Sequence, residues 1–204
     1  MKKILLALTA IVAIGVAVPV ALGATQPAPS VPTTTNMLTC FDGPSEQTIY
    51  GGSCTVTKYG AATLNNNGSN TDGEYSGVYV KNNNVVGKAI GAIDRLGFRY
   101  KGTATAGSPR ISLGISTDGD AGYDVFAFIS AFYCNDGAGN VDVIHDPTCT
   151  IFIGNAVYAN WAAMVAAHPD YRVGYTPFVI ADDPGTWTVF NVKLGEGFLG
   201  GLKK

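Results

Sequence analysis

The chain has 204 residues with a formal net charge of −2, and 47% of them are hydrophobic against only 14% charged. This balance supplies neither a basic patch for nucleic acid nor a polybasic segment for anionic lipid, so neither partner is expected. With 26 glycines, 10 tyrosines and 9 phenylalanines, many turns and few long polar helices are expected.

Lys2 and Lys3 precede an apolar run from Ile4 to Ala24, in which Ala21 and Gly23 occupy small positions. A charged n-region, an apolar h-region and small residues at the exit describe a signal peptide over residues 1–24, cleaved near Gly23 or Ala24. The rival reading is a membrane anchor, since about 20 apolar residues span a bilayer, but Gly15 and Pro19 interrupt that helix. The expected location is secreted or cell-surface, with no membrane contact beyond this segment. Residues 25–36, TQPAPSVPTTTN, form a Pro/Thr-rich spacer without apolar periodicity. Residues 37–204 remain, about 170 of them, a size suited to one β-sandwich domain with its own core.

Short strands are expected over Cys54–Tyr59 and Ala61–Leu64, bounded by Gly51-Gly52 and by the polar run Asn65–Gly68. Asn67-Gly68-Ser69 matches a glycosylation sequon but reads better as a turn. In Tyr75–Val80, Val78 and Val80 share one side and Tyr75, Gly77 and Tyr79 the other. Val85–Asp94 satisfies neither period and reads as a helical turn or irregular crossover. Arg95–Thr117 carries the strongest pattern, two strands joined by a turn-rich loop. Leu96, Phe98 and Tyr100 alternate with Gly97, Arg99 and Lys101, and Ile111, Leu113 and Ile115 alternate with Arg110, Ser112, Gly114 and Ser116. Pro109 stands at the second strand's start, where its missing N–H is tolerated.

Val125–Cys134, VFAFISAFYC, is apolar on both faces and reads as a strand covered on both sides. A polar excursion over Asn135–Pro147 leads to an apolar strand, Cys149–Ile153. Val157, Trp161, Met164, Val165 and His168 then recur at helical spacing, so one short helix is expected around Asn155–His168, capped by Asn155 and stopped by Pro169. Trp161 lies on its apolar side. Tyr171–Ala181 and Thr186–Leu194 are the last strands, separated by a turn at Asp182–Gly185. In the final strand Phe190, Val192 and Leu194 are expected on one face and Trp187, Val189, Asn191 and Lys193 on the other. The tail 195–204 carries no sorting motif and no second apolar span.

Four cysteines in an exported chain favour disulfides. Of three pairings, Cys40–Cys54 and Cys134–Cys149 each close a short local loop. Zinc lacks the C-x-x-C spacing and nearby histidines it uses.

The stretches GGSCTVT, EYSGVYV, LGFRYKG with SPRISLGIS, the helix around Trp161 ending in HPDY, and TWTVFNVKLG together resemble non-catalytic jelly-roll sandwiches of exported bacterial proteins, of the galactose-binding and carbohydrate-binding-module kind. The resemblance spans Gly51 to Gly195. It implies an all-β antiparallel sandwich of eight to ten strands that displays or binds glycan. Members commonly carry an acidic residue in the last strand, where this chain has Asn191, a departure that weakens any metal or ligand role there.

Candidate chemistry divides three ways. Sandwich-fold glycan hydrolysis needs two carboxylates facing each other across a cleft, but Glu46, Glu74 and Glu196 fall in turns or at element ends, and no serine sits in a G-x-S-x-G elbow. Neither histidine rescues this reading: His145 lies in a polar loop and His168 at a helix end, where the dipole favours it. Asp118, Asp120 and Asp124 crowd one glycine-containing loop and offer oxygen ligands for a structural calcium, set against an ordinary solvated turn. Glycan recognition uses aromatic faces and planar polar groups. The strand sides expected to face water supply Tyr75, Tyr79, Arg99, Lys101, Arg110 and Trp187. The sequence therefore favours an exported carbohydrate-binding or surface module without catalytic activity. A structural envelope or adhesion protein binding a cell-surface protein comes next, and a secreted glycan hydrolase last.

Overall fold

A computed structural model describes residues 38–43, 52–57, 60–66, 74–80, 84–134 and 139–195. The signal and spacer segments, Glu46, Glu196 and the sequon lie outside them. All described residues belong to one compact unit, Thr34–Lys204.

The described residues form an all-β antiparallel sandwich. Its strands are β1 (Leu38–Gly43), β2 (Ser53–Val56), β3 (Ala62–Asn66), β4 (Tyr75–Val80), β5 (Leu96–Lys101), β6 (Arg110–Ser116), β7 (Val125–Ser130), β8 (Asn140–Asp142), β9 (Ile151–Ile153), β10 (Ala156–Tyr158), β11 (Arg172–Ala181) and β12 (Gly185–Leu194). Twelve strands exceed the eight to ten expected because β1, β8 and β10 fall in segments where no strand is expected. The larger sheet runs β1-β4-β11-β6-β7-β9-β10 and the smaller β2-β3-β12-β5-β8. The last two strands close both layers: β11 inserts between β4 and β6, and β12 between β3 and β5.

The alternation in Arg95–Thr117 is realised, with Leu96, Phe98, Ile111, Leu113 and Ile115 buried in the common core. The two strands do not pair with each other, however. β5 belongs to the smaller sheet and β6 to the larger, so the loop between them crosses from one layer to the other. Arg99 and Lys101 therefore lie on a different outer face from Arg110. In β12 the expected faces hold only in part. Trp187 and Val189 are buried, and so are Val192 and Leu194, because a register shift between Phe190 and Lys193, with Asn191 at φ 51°, reverses the alternation.

The helix is shorter than its periodicity suggests. It spans Trp161–Ala167, and its cap is Asn160, whose side-chain oxygen accepts from the Ala163 N–H at 2.9 Å. Asn155 instead sits with Gly154 in the turn between β9 and β10, and Val157 is an exposed strand residue. Trp161 and Met164 are buried as expected. Val85–Asp94 contains one 3-10 turn, Ile90–Ala92.

Both expected disulfides form. Cys40–Cys54 ties β1 of the larger sheet to β2 of the smaller. Cys134–Cys149 joins the segment after β7 to the residues leading into β9. Among the described residues no helix is long and apolar enough to cross a membrane.

Candidate functional site: an aromatic trough with an acidic end

The outer face of the larger sheet is not polar. In its middle, β6 presents Arg110, Ser112, Gly114 and Ser116, and β4 presents Gly77 between Tyr75 and Tyr79. These small residues are floor rather than solvent surface. A Cβ at Gly77 would strike the Phe41 ring and lie 2.6 Å from the Val179 carbonyl oxygen, while one at Gly114 would lie 2.5 Å from Tyr175 Cβ and 3.1 Å from Tyr123 Cβ. Absent side chains on β4 and β6 thus let aromatic rings from neighbouring strands lie down on the sheet.

Those rings form one connected layer. Phe41 on β1 contacts Tyr75, Tyr79 and Phe178, at centroid distances of 6.1, 6.3 and 5.4 Å. Phe178 meets Phe126 of β7 at 5.9 Å, Phe126 meets Tyr123 at 4.5 Å, and Tyr123 meets Tyr175 at 5.5 Å. Most of these contacts are tilted or edge-on, the geometry that ring quadrupoles favour. Two register shifts in β11, on either side of Tyr175, interrupt its pairing with β6 where Tyr175 and Thr176 reach the surface. Tyr175 is 50% exposed. Phe41, Tyr75, Tyr79, Tyr123, Phe126, Tyr175, Phe178 and their neighbours line a depression of about 560 Å³, within the size range of small-ligand sites.

Tyr75 and Ile180 also line a second, more polar pocket of about 330 Å³, together with Glu74, Gly107, Arg110, Asp182 and Asp183. Its walls are stiffly built. The Arg110 guanidinium is bonded to the Asp182 carboxylate, donates to the Gly107 carbonyl at 2.9 Å, and lies 5.0 Å from the centre of the Phe128 ring. Ser108 Oγ accepts from the N–H groups of both Asp182 and Asp183 at 2.9 Å, and Asp183 takes the Thr105 hydroxyl and the Gly107 N–H. Glu74 is 2% exposed, and neither carboxylate oxygen has a hydrogen-bond partner among the described residues.

Of the expected ligand residues, the fold places Tyr75 and Tyr79 in the trough and Arg110 at its polar end. Arg99 lies on the other sheet, its guanidinium 5.5 Å from the centre of the Phe190 ring, with Lys101 exposed nearby. Trp187 is core: it is 2% exposed, and its indole N–H donates to the Thr103 carbonyl at 2.8 Å. Val125–Cys134 is likewise not covered on both sides, since β7 ends at Ser130 and Phe128, Phe132 and Tyr133 are exposed.

The bonds around the three aspartates expected to hold calcium are local, and no group of three or more His, Cys, Asp or Glu able to hold a metal ion occurs among the described residues. Asp118 accepts from Ser116 Oγ and the Asp120 N–H, whereas Asp124 accepts from the Thr117 N–H at 2.7 Å and its hydroxyl at 2.8 Å. The Thr117 N–H, and then its hydroxyl, hold the Asp124 carboxyl below its ordinary 3.8. His145 bonds to Asp142 at the surface. His168 caps the helix end, bonded to the Tyr158 hydroxyl and stacked on Tyr171 at 4.1 Å.

Sequence reasoning missed Phe41, Tyr123, Phe126, Tyr175, Phe178 and the grouping of Glu74 with Asp182 and Asp183. The available signal was the aromatic content of strand sides opposite a clear core face. No family model, curated protein or solved structure matches this chain.

Proposed function

We propose that this is an exported, non-catalytic β-sandwich module that binds carbohydrate on the aromatic face of its larger sheet. The observation that carries the reading is the pre-formed trough lined by Phe41, Tyr75, Tyr79, Tyr123, Phe126, Tyr175 and Phe178. Sugar rings present C–H faces that pack on aromatic surfaces, and tyrosine hydroxyls at the rim add hydrogen bonds without losing that area. The N-terminal signal pattern and two disulfides support export. Hydrolysis is disfavoured because acid/base cleavage employs two available carboxylates flanking one bond. Here Asp182 and Asp183 are engaged by Arg110, Thr105 and Gly107, which leaves Glu74 alone.

A glycan-array screen of the purified protein tests the reading. Tyr175→Ala and Tyr79→Ala are each expected to weaken binding about 2- to 10-fold, the worth of one stacked ring, and Arg99→Ala on the opposite sheet to leave it unchanged. Absence of binding across the array would refute it. A second reading, adhesion through another protein, rests on the exposed Phe132, Tyr133 and Val157 near the β7-β9-β10 edge.

A further inference from the structure

We infer that the acidic pocket at the end of the trough takes a protonated amine, and hence that the glycan bound is an amino sugar polymer. The inference rests on the glycan reading of the trough and adds its chemical class. Among the residues lining this pocket, three carboxylates face one guanidinium. Arg110 is already committed to Asp182, Gly107 and Phe128, so it does not serve Glu74. Glu74 is thus a carboxyl group 98% removed from solvent with both oxygens unpartnered among the described residues. Burial of such a group without a hydrogen bond costs several kcal/mol, and native folds keep few of them.

A donor-rich, positively charged partner suits it best, because a charge-assisted hydrogen bond is about twice as strong as a neutral one. An ammonium group is such a partner, with three N–H donors and no acceptor. Position selects its carrier. Tyr75 and Ile180 line both the trough and the pocket, so a ring packed on the aromatic layer lies beside the pocket that Glu74 lines, into which the amine of a 2-amino sugar would project. An N-acetyl or hydroxyl group at the same place brings no charge.

Calorimetry decides this with β-1,4-linked oligomers of glucosamine, N-acetylglucosamine and glucose of equal length, at about pH 6, where such amines are protonated. The glucosamine oligomer is expected to bind about tenfold tighter than either neutral one. Glu74→Gln is expected to reduce that preference to about twofold or less. Glu74→Asp, which keeps the charge but draws it back by a methylene, should give an intermediate preference, and the wild-type comparison stands even if a variant fails to fold. Equal affinity for all three oligomers, or a preference that survives Glu74→Gln, would overturn the amine site and leave the glycan reading standing. Binding of none overturns both. Displacement of the glucosamine oligomer by a lysine-rich peptide at equal affinity would instead make the pocket a protein site.

Discussion

Gly114→Ala tests the trough and the fold together. Its added Cβ would sit 2.5 Å from Tyr175 Cβ, 3.1 Å from Tyr123 Cβ and 3.2 Å from the Tyr175 backbone nitrogen, where ordinary contact begins at 3.4 Å. A gap of about 1 Å must open, and no rotamer change opens it, because the nearest atoms are at the root of the Tyr175 side chain and in its backbone. β11 has to give way between its two register shifts. Overpacking of this kind costs about 1–3 kcal/mol. At about 2–4 °C per kcal/mol for a domain of this size, the melting temperature should fall by about 2–12 °C. Tyr175 and Tyr123 move with the strand, so glycan affinity should fall about 2- to 10-fold as well. Ser112→Ala is the internal control, on the same strand and the same face. Its hydroxyl is buried without a partner among the described residues, so its removal should leave stability unchanged or raise it by up to about 1 kcal/mol. Thermal and urea unfolding of both variants, read beside glycan titration, suffices. A Gly114→Ala protein that melts and binds like the wild type would show that the aromatic layer does not rest on β6 as described.

Trp187→Ala should lower stability by about 3–5 kcal/mol, because it empties a core position and removes a bond to Thr103, whereas a folded Trp187→Phe protein should keep glycan affinity within about twofold; a selective loss of affinity would return Trp187 to the binding surface. Replacing Cys40 and Cys54 together by alanine should cost about 3 kcal/mol through a looser unfolded chain and a lost tie between the sheets, measured by denaturant unfolding with and without reductant; an unchanged midpoint would argue against the bridge. Asp124, whose carboxyl is held below 3.8 in the folded protein, contributes stability that is fully present above that value and is lost as the pH falls through its folded pKa. Thr117→Val removes the hydroxyl bond and should move the Asp124 titration upward toward 3.8 when followed by NMR; a downward or absent shift would refute that cause.

The core was legible because period-two alternation is a local property. Leu96, Phe98, Ile111, Leu113 and Ile115 declare their face within a few residues, and both short disulfide loops follow from spacing alone. What was not legible depends on events at a distance or on one residue of slippage. The bulge at Asn191 turns Val192 and Leu194 to the same side as Trp187, although strict alternation places them opposite. Asn160 and Asn155 are equivalent caps in composition, and the helix starts at Trp161 because β9 and β10 first consume Ile151–Tyr158 in a hairpin. No strand is expected over Leu38–Gly43, which ends in Asp-Gly, a turn signal that the pairing with β4 overrides.

The site was hidden for a related reason. An outer strand face made of Ser, Gly and Arg reads as solvent-facing, and that expectation fails on β6 because Tyr123 and aromatics from β7 and β11 cover it. Small residues on one strand and large rings on its neighbours are two halves of one packing solution, and a sequence read strand by strand sees only unrelated halves. The same logic governs Glu74. In the chain it is a lone acid at the start of β4; in the fold it meets Asp182 and Asp183, more than a hundred residues away, because β11 inserts between β4 and β6. The insertion that closes the sandwich therefore also assembles the polar end of the trough. Variants that loosen β11 should lose binding and stability together, whereas Glu74→Gln should act on the preference among sugars.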